Sequence, residues 1–263
     1  KGDKLIVADN IAKYYSVNIK SGELIWSKNN QYPFNSEIKV FKDKFFVIDF
    51  NNTLRCYKIK DGSECWKLIT ESSFTVPNNK YSLVIVDNLI IFNNSIGDIT
   101  AVNIFSGSII WQLPTQSRSS INQTYNYKSS KLVTDGKSLF FSNNKNEFYS
   151  IDLKTGSINW KNDINSSLTP IIFNEFIFTI SNEGYLFVIQ KNKGNIIRIK
   201  DTYKIYKLKH RKNIKPVGFV IGLDKLYLAS TNGELIVIDL TTGTINKTIK
   251  IARSKILSPY IYN

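Results

Sequence analysis

The side chains that most often carry out catalysis are scarce in this chain of 263 residues. His210 is the only histidine, so a Ser-His-Asp triad or a metal–histidine site would have to use it. It lies in the basic run from Lys207 to Lys212, and runs of like charge are typical of a solvated surface. No glycine-rich segment is followed by Lys-Ser or Lys-Thr, the pattern that cradles phosphates. His210 is therefore predicted to be a solvated loop residue and not a catalytic base.

The carboxylates and thiols are also better explained by structure than by chemistry. Asp152 and Asp239 lie at equivalent positions beside turns, where an aspartate side chain accepts backbone N–H bonds. Cys56 and Cys65 are too few for a zinc or haem site. They fall in one predicted hairpin, so a cross-strand disulfide and two separate packed thiols both remain open. These patterns predict a chain with no catalytic residue, no cofactor and no metal ligand.

Six similar segments account for most of the chain. Each has an apolar run, a polar turn, an alternating run, a turn ending in glycine and a third run, which predicts three strands joined by hairpins. The tight closing turn needs a positive φ, which glycine adopts without a steric penalty. The closing-turn glycines are Gly22, Gly62, Gly107, Gly156, Gly194 and Gly243. Their spacings of 38 to 49 residues are typical of the blades of a propeller.

A fourth short apolar segment precedes every copy except the first. These segments are residues 37–41, 82–86, 131–134, 170–173 and 217–221. The C-terminal residues 257–263 resemble residues 168–174, which open the fifth copy. We therefore predict an all-β propeller of about six four-stranded blades, closed by the C-terminal strand joining the N-terminal blade, with residues 1–263 forming a single domain.

All four tryptophans follow a closing-turn glycine by four residues. They are Trp26, Trp66, Trp111 and Trp160. A tryptophan there can lay its ring across the neighbouring blade while its indole N–H bonds to a backbone carbonyl. Repetition favours this architectural role over ligand stacking.

The segment SIDLKTGSINW, residues 150–160, resembles the tryptophan-docking repeat of the pyrroloquinoline-quinone (PQQ) type propeller family. The copies at 16–26 and 101–111 match with Asn for Asp and Ser for Thr, while the fifth and sixth copies have Arg198 and Lys247 in place of the tryptophan. One branch of this family contains eight-bladed quinoprotein dehydrogenases that bind PQQ and calcium, often over an adjacent cysteine pair. The chain has neither adjacent cysteines nor a CxxCH motif, so it is more similar to the non-enzymatic, BamB-like branch.

This resemblance implies a non-catalytic scaffold that binds protein partners, among them components of outer-membrane protein assembly. It also implies a periplasmic location, with an outer-membrane lipid anchor in the full-length form. Two alternatives stay open from the residues alone. They are a PQQ-dependent quinoprotein oxidoreductase and a ligand-sensing ectodomain of a larger protein.

Positive charge is the strongest functional signal in the composition. Lys and Arg number 35 against 21 Asp and Glu, a formal charge of +14. Eight basic side chains and one acid, Asp201, lie between the fifth and sixth copies: Arg198, Lys200, Lys204, Lys207, Lys209, Arg211, Lys212 and Lys215. This patch is predicted to attract an acidic protein partner or anionic lipid head groups, and nucleic acid is the least favoured partner. A lysine-rich solvated surface is the alternative. The polar loop from Gln112 to Ser130 is a second candidate binding segment.

Overall fold

The computed structural model describes residues 2–71, 80–115 and 127–262. The chain divides into two compact units, Lys1–Tyr127 and Lys128–Asn263, and each contains three antiparallel sheets. The regular secondary structure of the described residues is almost entirely β-strand, with a single short helix. Within it, no helix has the length and the apolar composition that crossing a membrane requires.

The first unit contains one three-stranded sheet and two four-stranded sheets. The first sheet is built from β1 (Lys4–Ala8), β2 (Lys13–Asn18) and β3 (Leu24–Asn29). The second is built from β4 (Lys39–Phe41), β5 (Lys44–Ile48), β6 (Thr53–Lys58) and β7 (Glu64–Ile69). The third is built from β8 (Leu83–Val86), β9 (Leu89–Asn93), β10 (Ile99–Asn103) and β11 (Ile109–Leu113).

The second unit contains three four-stranded sheets. The fourth sheet is built from β12 (Val133–Thr134), β13 (Ser138–Asn143), β14 (Glu147–Asp152) and β15 (Ile158–Asn162). The fifth is built from β16 (Ile171–Phe173), β17 (Phe176–Ile180), β18 (Tyr185–Gln190) and β19 (Ile196–Asp201). After the one-turn helix α1 (Leu208–Arg211), the sixth is built from β20 (Pro216–Gly222), β21 (Lys225–Ser230), β22 (Glu234–Asp239) and β23 (Ile245–Lys250).

The strand predictions are confirmed, apart from the predicted closing strand. The five upstream apolar segments form β4, β8, β12, β16 and β20, the first strands of the four-stranded sheets. The C-terminal residues 257–263 were expected to add a fourth strand to the first sheet. Residues 251–262 contain no strand, and the first sheet has three strands among the described residues.

The C-terminal segment packs on the sixth sheet. The backbone N–H groups of Ile251 and Ala252 both donate to the carbonyl of Gly233, at 2.9 and 3.1 Å. Further on, Ser258 lies against Gly218 of β20 so closely that a Cβ on that glycine would be 2.0 Å from the serine Oγ. The described C-terminal residues are therefore attached to the sixth sheet by these contacts, where the sequence predicted a strand of the first sheet.

The hydrophobic core lies between neighbouring sheets within each unit. In the four-stranded sheets the second strand is mostly buried on both faces, which explains its apolar run. In β5, for example, Phe45, Phe46, Val47 and Ile48 are completely buried. Phe45 and Val47 pack with residues of the first sheet, whereas Phe46 and Ile48 pack with residues of the third.

Indole rings join neighbouring sheets at the closing turns. All six closing-turn glycines have φ between +69° and +74°. The ring of Trp26 lies on Gly62, where an added Cβ would be 2.7 Å from the ring, and its Nε1 donates to the Ile59 carbonyl at 3.1 Å. The same two contacts are made by Trp66, on Gly107 and the Ile104 carbonyl, and by Trp160, on Gly194 and the Lys191 carbonyl. The glycine is therefore required twice, for its φ and for the close approach of the ring.

Arg198 makes the equivalent contact in the fifth copy. Its Nη1 donates to the Leu240 carbonyl at 3.1 Å, and its Cδ would lie 3.1 Å from a Cβ on Gly243. Leu240 precedes its closing-turn glycine by three residues, as Ile59 precedes Gly62. A guanidinium group therefore supplies the donor that an indole supplies elsewhere.

Candidate partner-binding surface

The repeated aspartates are turn residues. Asp152 Oδ1 accepts the backbone N–H groups of Lys154 and Thr155, both at 2.9 Å, and the Thr155 hydroxyl at 3.0 Å. Asp239 makes the corresponding bonds to Thr242. The hydrogen bonds from the turn hold the pKa of Asp152 and of Asp239 below the ordinary aspartate value. The predicted structural role of these carboxylates is confirmed.

The other candidates for chemistry are dispersed. His210 is exposed, as predicted, although it lies on α1 and not in an irregular loop. Cys56 and Cys65 are both free thiols, and burial raises the pKa of Cys56 far above its usual range. Across residues 2–71, 80–115 and 127–262, no group of three or more His, Cys, Asp or Glu side chains could hold a metal ion.

Residues 202–215, here called the basic loop, connect β19 to β20. Two buried residues fasten its first end to the fifth and sixth sheets. The Thr202 hydroxyl donates to the Gly184 carbonyl at 2.5 Å, and the Tyr203 ring lies directly on Gly184. The Tyr203 hydroxyl shares a hydrogen bond with the Ser230 hydroxyl at 3.2 Å. The loop therefore starts from a fixed point in the core.

Arg211 fixes the rest of the basic loop. Its guanidinium group forms an ion pair with Asp201 at 2.6 Å and donates to the carbonyls of Tyr206 and Lys204 at 2.9 and 2.8 Å. The planar guanidinium can make these bonds at once because its donors are held in a rigid fork. Arg211 and Asp201 are both partly buried, and they neutralise each other.

The lysines of the basic loop carry its available charge. Lys204, Lys207, Lys209, Lys212 and Lys215 are all exposed, and none has an ion pair within the described residues. The predicted patch was larger than this. The guanidinium groups of Arg198 and Arg211 bond to the Leu240 carbonyl and to Asp201, so their charges have partners within the second unit. Lys200 precedes the basic loop, and its alkyl chain packs on Gly243.

Exposed apolar side chains lie among these lysines. Leu208, the first residue of α1, is 76% exposed, and Ile205 is 46% exposed. A groove of about 650 Å³ runs beside them, and its lining includes Tyr185, Leu208, Lys212 and Lys215. This combination of cations and exposed apolar carbon suits a ligand that is both anionic and apolar.

The second segment singled out from the sequence, Gln112 to Ser130, falls mostly on residues 116–126, which lie outside the described residues. Sequence reasoning also missed two features of the basic loop. It did not pair Asp201 with Arg211, although Asp201 is the only acid in the run, and it did not single out Leu208 and Ile205. Isolated apolar residues carry no periodic signal, and their exposure depends on the fold.

The family model described as "Outer membrane protein assembly factor BamB" matches residues 1–200. The chain belongs to this family. It is 22% identical over 261 residues to the outer membrane protein assembly factor BamB of Moranella endobia, covering 98% of this chain and 65% of that relative. It is 29% identical over 163 residues to the BamB of Shewanella oneidensis, covering 60% of this chain and 36% of that relative. The chain thus spans less than two thirds of the length of either curated relative.

Solved structures show the fold. The crystal structure of BamB from Moraxella catarrhalis matches 99% of this chain and 77% of that chain with a TM-score of 0.80 at 13% identity. Sqt1 from Saccharomyces cerevisiae matches 97% of this chain and 72% of that chain with a TM-score of 0.69 at 11% identity. The predicted fold class, an all-β propeller, is confirmed. The family is named for an assembly factor and not for a reaction, which agrees with the prediction that the chain is not an enzyme.

Proposed function

We propose that the chain is a non-catalytic scaffold that binds protein partners during outer-membrane protein assembly. Its membership of the BamB family supports this role, because the family is named for that process. The observation that carries the proposal is the repeated docking of Trp26, Trp66, Trp160 and Arg198 on closing-turn glycines. Such docking holds neighbouring sheets rigidly together, so the loops and strand edges that they carry can bind protein partners.

The edge of β19 is the best-equipped place for a protein partner. β19 is the outermost strand of the fifth sheet, and its free edge has no partner strand within the described residues. Ile197 and Ile199 on this strand are 54% and 53% exposed. An extended segment of a partner can add to such an edge through backbone hydrogen bonds while apolar side chains give additional contact.

The basic loop supports a second contact, with an anionic partner. Its five exposed lysines belong to a loop that Arg211 and Tyr203 hold in place. A periplasmic location, with a lipid anchor on the outer membrane in the full-length form, is part of the same proposal. It would place both the edge of β19 and the basic loop close to the site of assembly.

Cross-linking and affinity purification from native membranes test the scaffold function. The full-length protein should be compared with an Ile197→Lys/Ile199→Lys variant and with Leu223→Lys, a control at a residue that is 94% exposed in the turn after β20. We expect outer-membrane assembly proteins to co-purify with the wild type and the control, and at least about tenfold less with the double variant, since charge on an edge strand opposes strand addition.

The two negative outcomes have different meanings. Absence of assembly proteins from the wild-type sample would overturn the scaffold function. Equal recovery with the double variant, at an unchanged melting temperature, would overturn the edge of β19 as the binding site.

A further inference from the structure

The basic loop exposes apolar carbon in the middle of its positive charge. Leu208, the first residue of α1, is 76% exposed. Single exposed apolar residues are common on proteins. Here, however, Leu208 and Ile205 lie within a stretch from Thr202 to Lys215 that has no acidic residue, and its five lysines form no ion pair with any residue that the structure describes.

The loop is held in its shape before any ligand binds. Three bonds from Arg211 close the segment from Asp201 to the helix, and Tyr203 is buried beneath Gly184. A preorganised loop loses little conformational freedom on binding, so its contacts contribute more fully to affinity.

The groove beside the loop offers a place for an anionic head group. Lys212 and Lys215 line it, and Leu208 forms part of its wall. Two acids also line it. Asp201 is neutralised by Arg211, whereas the Glu183 carboxylate, which accepts a hydrogen bond from the side-chain amide of Asn165 at 2.8 Å, keeps its charge. With Lys212 and Lys215 both in the lining, the groove has an excess of one positive charge, with apolar carbon adjoining it.

We propose that the basic loop docks on an anionic phospholipid surface, with Leu208 and Ile205 entering the head-group region and the lysines contacting phosphates. The inference rests on the proposed use of this loop for an anionic partner, and it commits to lipid for a physical reason. Exposed apolar side chains surrounded by lysines are complementary to a membrane surface, where acyl chains lie beneath negatively charged head groups. An acidic protein would need to supply its own pocket for Leu208.

Sedimentation with lipid vesicles tests the proposal on the whole chain. Vesicles of phosphatidylglycerol should bind the protein, and vesicles of phosphatidylcholine should bind it far less. A lysine near an anionic surface strengthens binding by about fivefold, so a Lys204→Gln/Lys207→Gln/Lys209→Gln variant should bind about a hundredfold more weakly. Raising the salt from about 0.1 M to about 1 M should release the wild type, because the screening length falls from about 10 Å to about 3 Å.

Leu208→Ser separates lipid docking from simple charge attraction. It should weaken binding to phosphatidylglycerol vesicles by about tenfold, since the lost side chain would be buried among lipids. Leu223→Ser is the matched control, with a leucine that is 94% exposed beside Asp224, and it should bind like the wild type. A Lys137→Gln/Lys154→Gln/Lys193→Gln variant controls for total charge, because these three lysines are exposed elsewhere in the same unit. It should lose little affinity for phosphatidylglycerol vesicles.

Three results would overturn the docking proposal. They are equal binding to both kinds of vesicle, unchanged binding of Leu208→Ser, and competition by soluble polyglutamate at lower charge concentration than phosphatidylglycerol. The last result would identify an acidic protein segment as the ligand. The scaffold function is judged by the co-purified proteins and not by vesicles, so either proposal can fail while the other holds.

Discussion

Substituting Gly194 by alanine tests whether the closing-turn glycine and the indole of Trp160 stabilise the fold as one unit. Gly194 has a φ of +74°, and an added Cβ would lie 2.6 Å from the Trp160 ring. The left-handed conformation costs alanine about 1–2 kcal/mol. Displacing the packed ring should cost about 1–3 kcal/mol more. We therefore expect the free energy of unfolding to fall by about 2–5 kcal/mol.

Gly22→Ala isolates the backbone contribution. Gly22 occupies the same turn position with a φ of +73°, and an added Cβ there would have no atom of the described residues within 4 Å. Its substitution should cost only about 1–2 kcal/mol. The difference between the two glycine variants measures the contact with the ring.

Trp160→Ala completes a double-mutant cycle. The indole donates to the Lys191 carbonyl at 2.9 Å and stacks on Phe148 with ring centroids 5.8 Å apart, so its removal should cost about 3–5 kcal/mol. Without the ring, Gly194→Ala should cost only the backbone contribution. The coupling between the two substitutions should then be about 1–3 kcal/mol.

Urea unfolding at constant m-value is the assay, supported by thermal melts in which 1 kcal/mol corresponds to about 2–4 °C. Equal costs for Gly194→Ala and Gly22→Ala would refute the argument. So would additive effects of Gly194→Ala and Trp160→Ala, because additivity means that the ring and the glycine do not interact.

Three further measurements test Arg198, the Asp135 carboxylate and the Cys56 thiol. Arg198→Ala should lower the free energy of unfolding by about 1–3 kcal/mol in urea, because the part-buried Leu240 carbonyl loses a charged donor. Arg198→Trp should not restore the stability unless Val188→Ser is added, because Val188 pairs directly with position 198. Burial raises the pKa of Asp135, but backbone N–H groups and Lys191 outweigh it and hold that pKa below the ordinary 3.8. The resulting stabilisation is present above pH 3.8 and lost as the pH falls further, so urea midpoints should fall more steeply in acid for the wild type than for Asp135→Asn. Iodoacetamide at mildly alkaline pH should leave Cys56 unmodified in the folded protein and modify it in urea, as read by mass spectrometry, since the thiol is buried with a raised pKa.

The strands and turns were predictable because their signals are local. Each repeat contains alternating apolar and polar residues and a closing-turn glycine, and these two patterns predicted every four-stranded sheet. The C-terminal segment was mispredicted because its likeness to residues 168–174 is local too, while its position depends on tertiary contacts such as that of Ser258 with Gly218. No pattern within residues 251–262 shows that they will pack on β20.

The position of the basic surface was predictable from the sequence, but the set of side chains that it exposes was not. The cluster of positive charge marked the segment from Arg198 to Lys215, but it did not separate exposed cations from those used inside the fold. Arg198 and Arg211 have carbonyl and carboxylate partners 42 and 10 residues away in sequence. Such partners depend on tertiary structure, which charge spacing does not encode.

The residue paired with the tryptophan position explains why Arg198 stands in place of an indole in the fifth copy. In the four copies with tryptophan, the residue paired with it is Ser16, Cys56, Ala101 or Ser150. In the two copies without it, Val188 pairs with Arg198, and Val237 pairs with Lys247. Side chains directly opposite on neighbouring strands lie about 5 Å apart on one face, so a broad indole needs a small partner, whereas a thin alkyl chain tolerates valine. Part of the charge of +14 therefore belongs to the architecture of the sheets, and the five lysines of the basic loop are the better measure of what this segment can offer a partner.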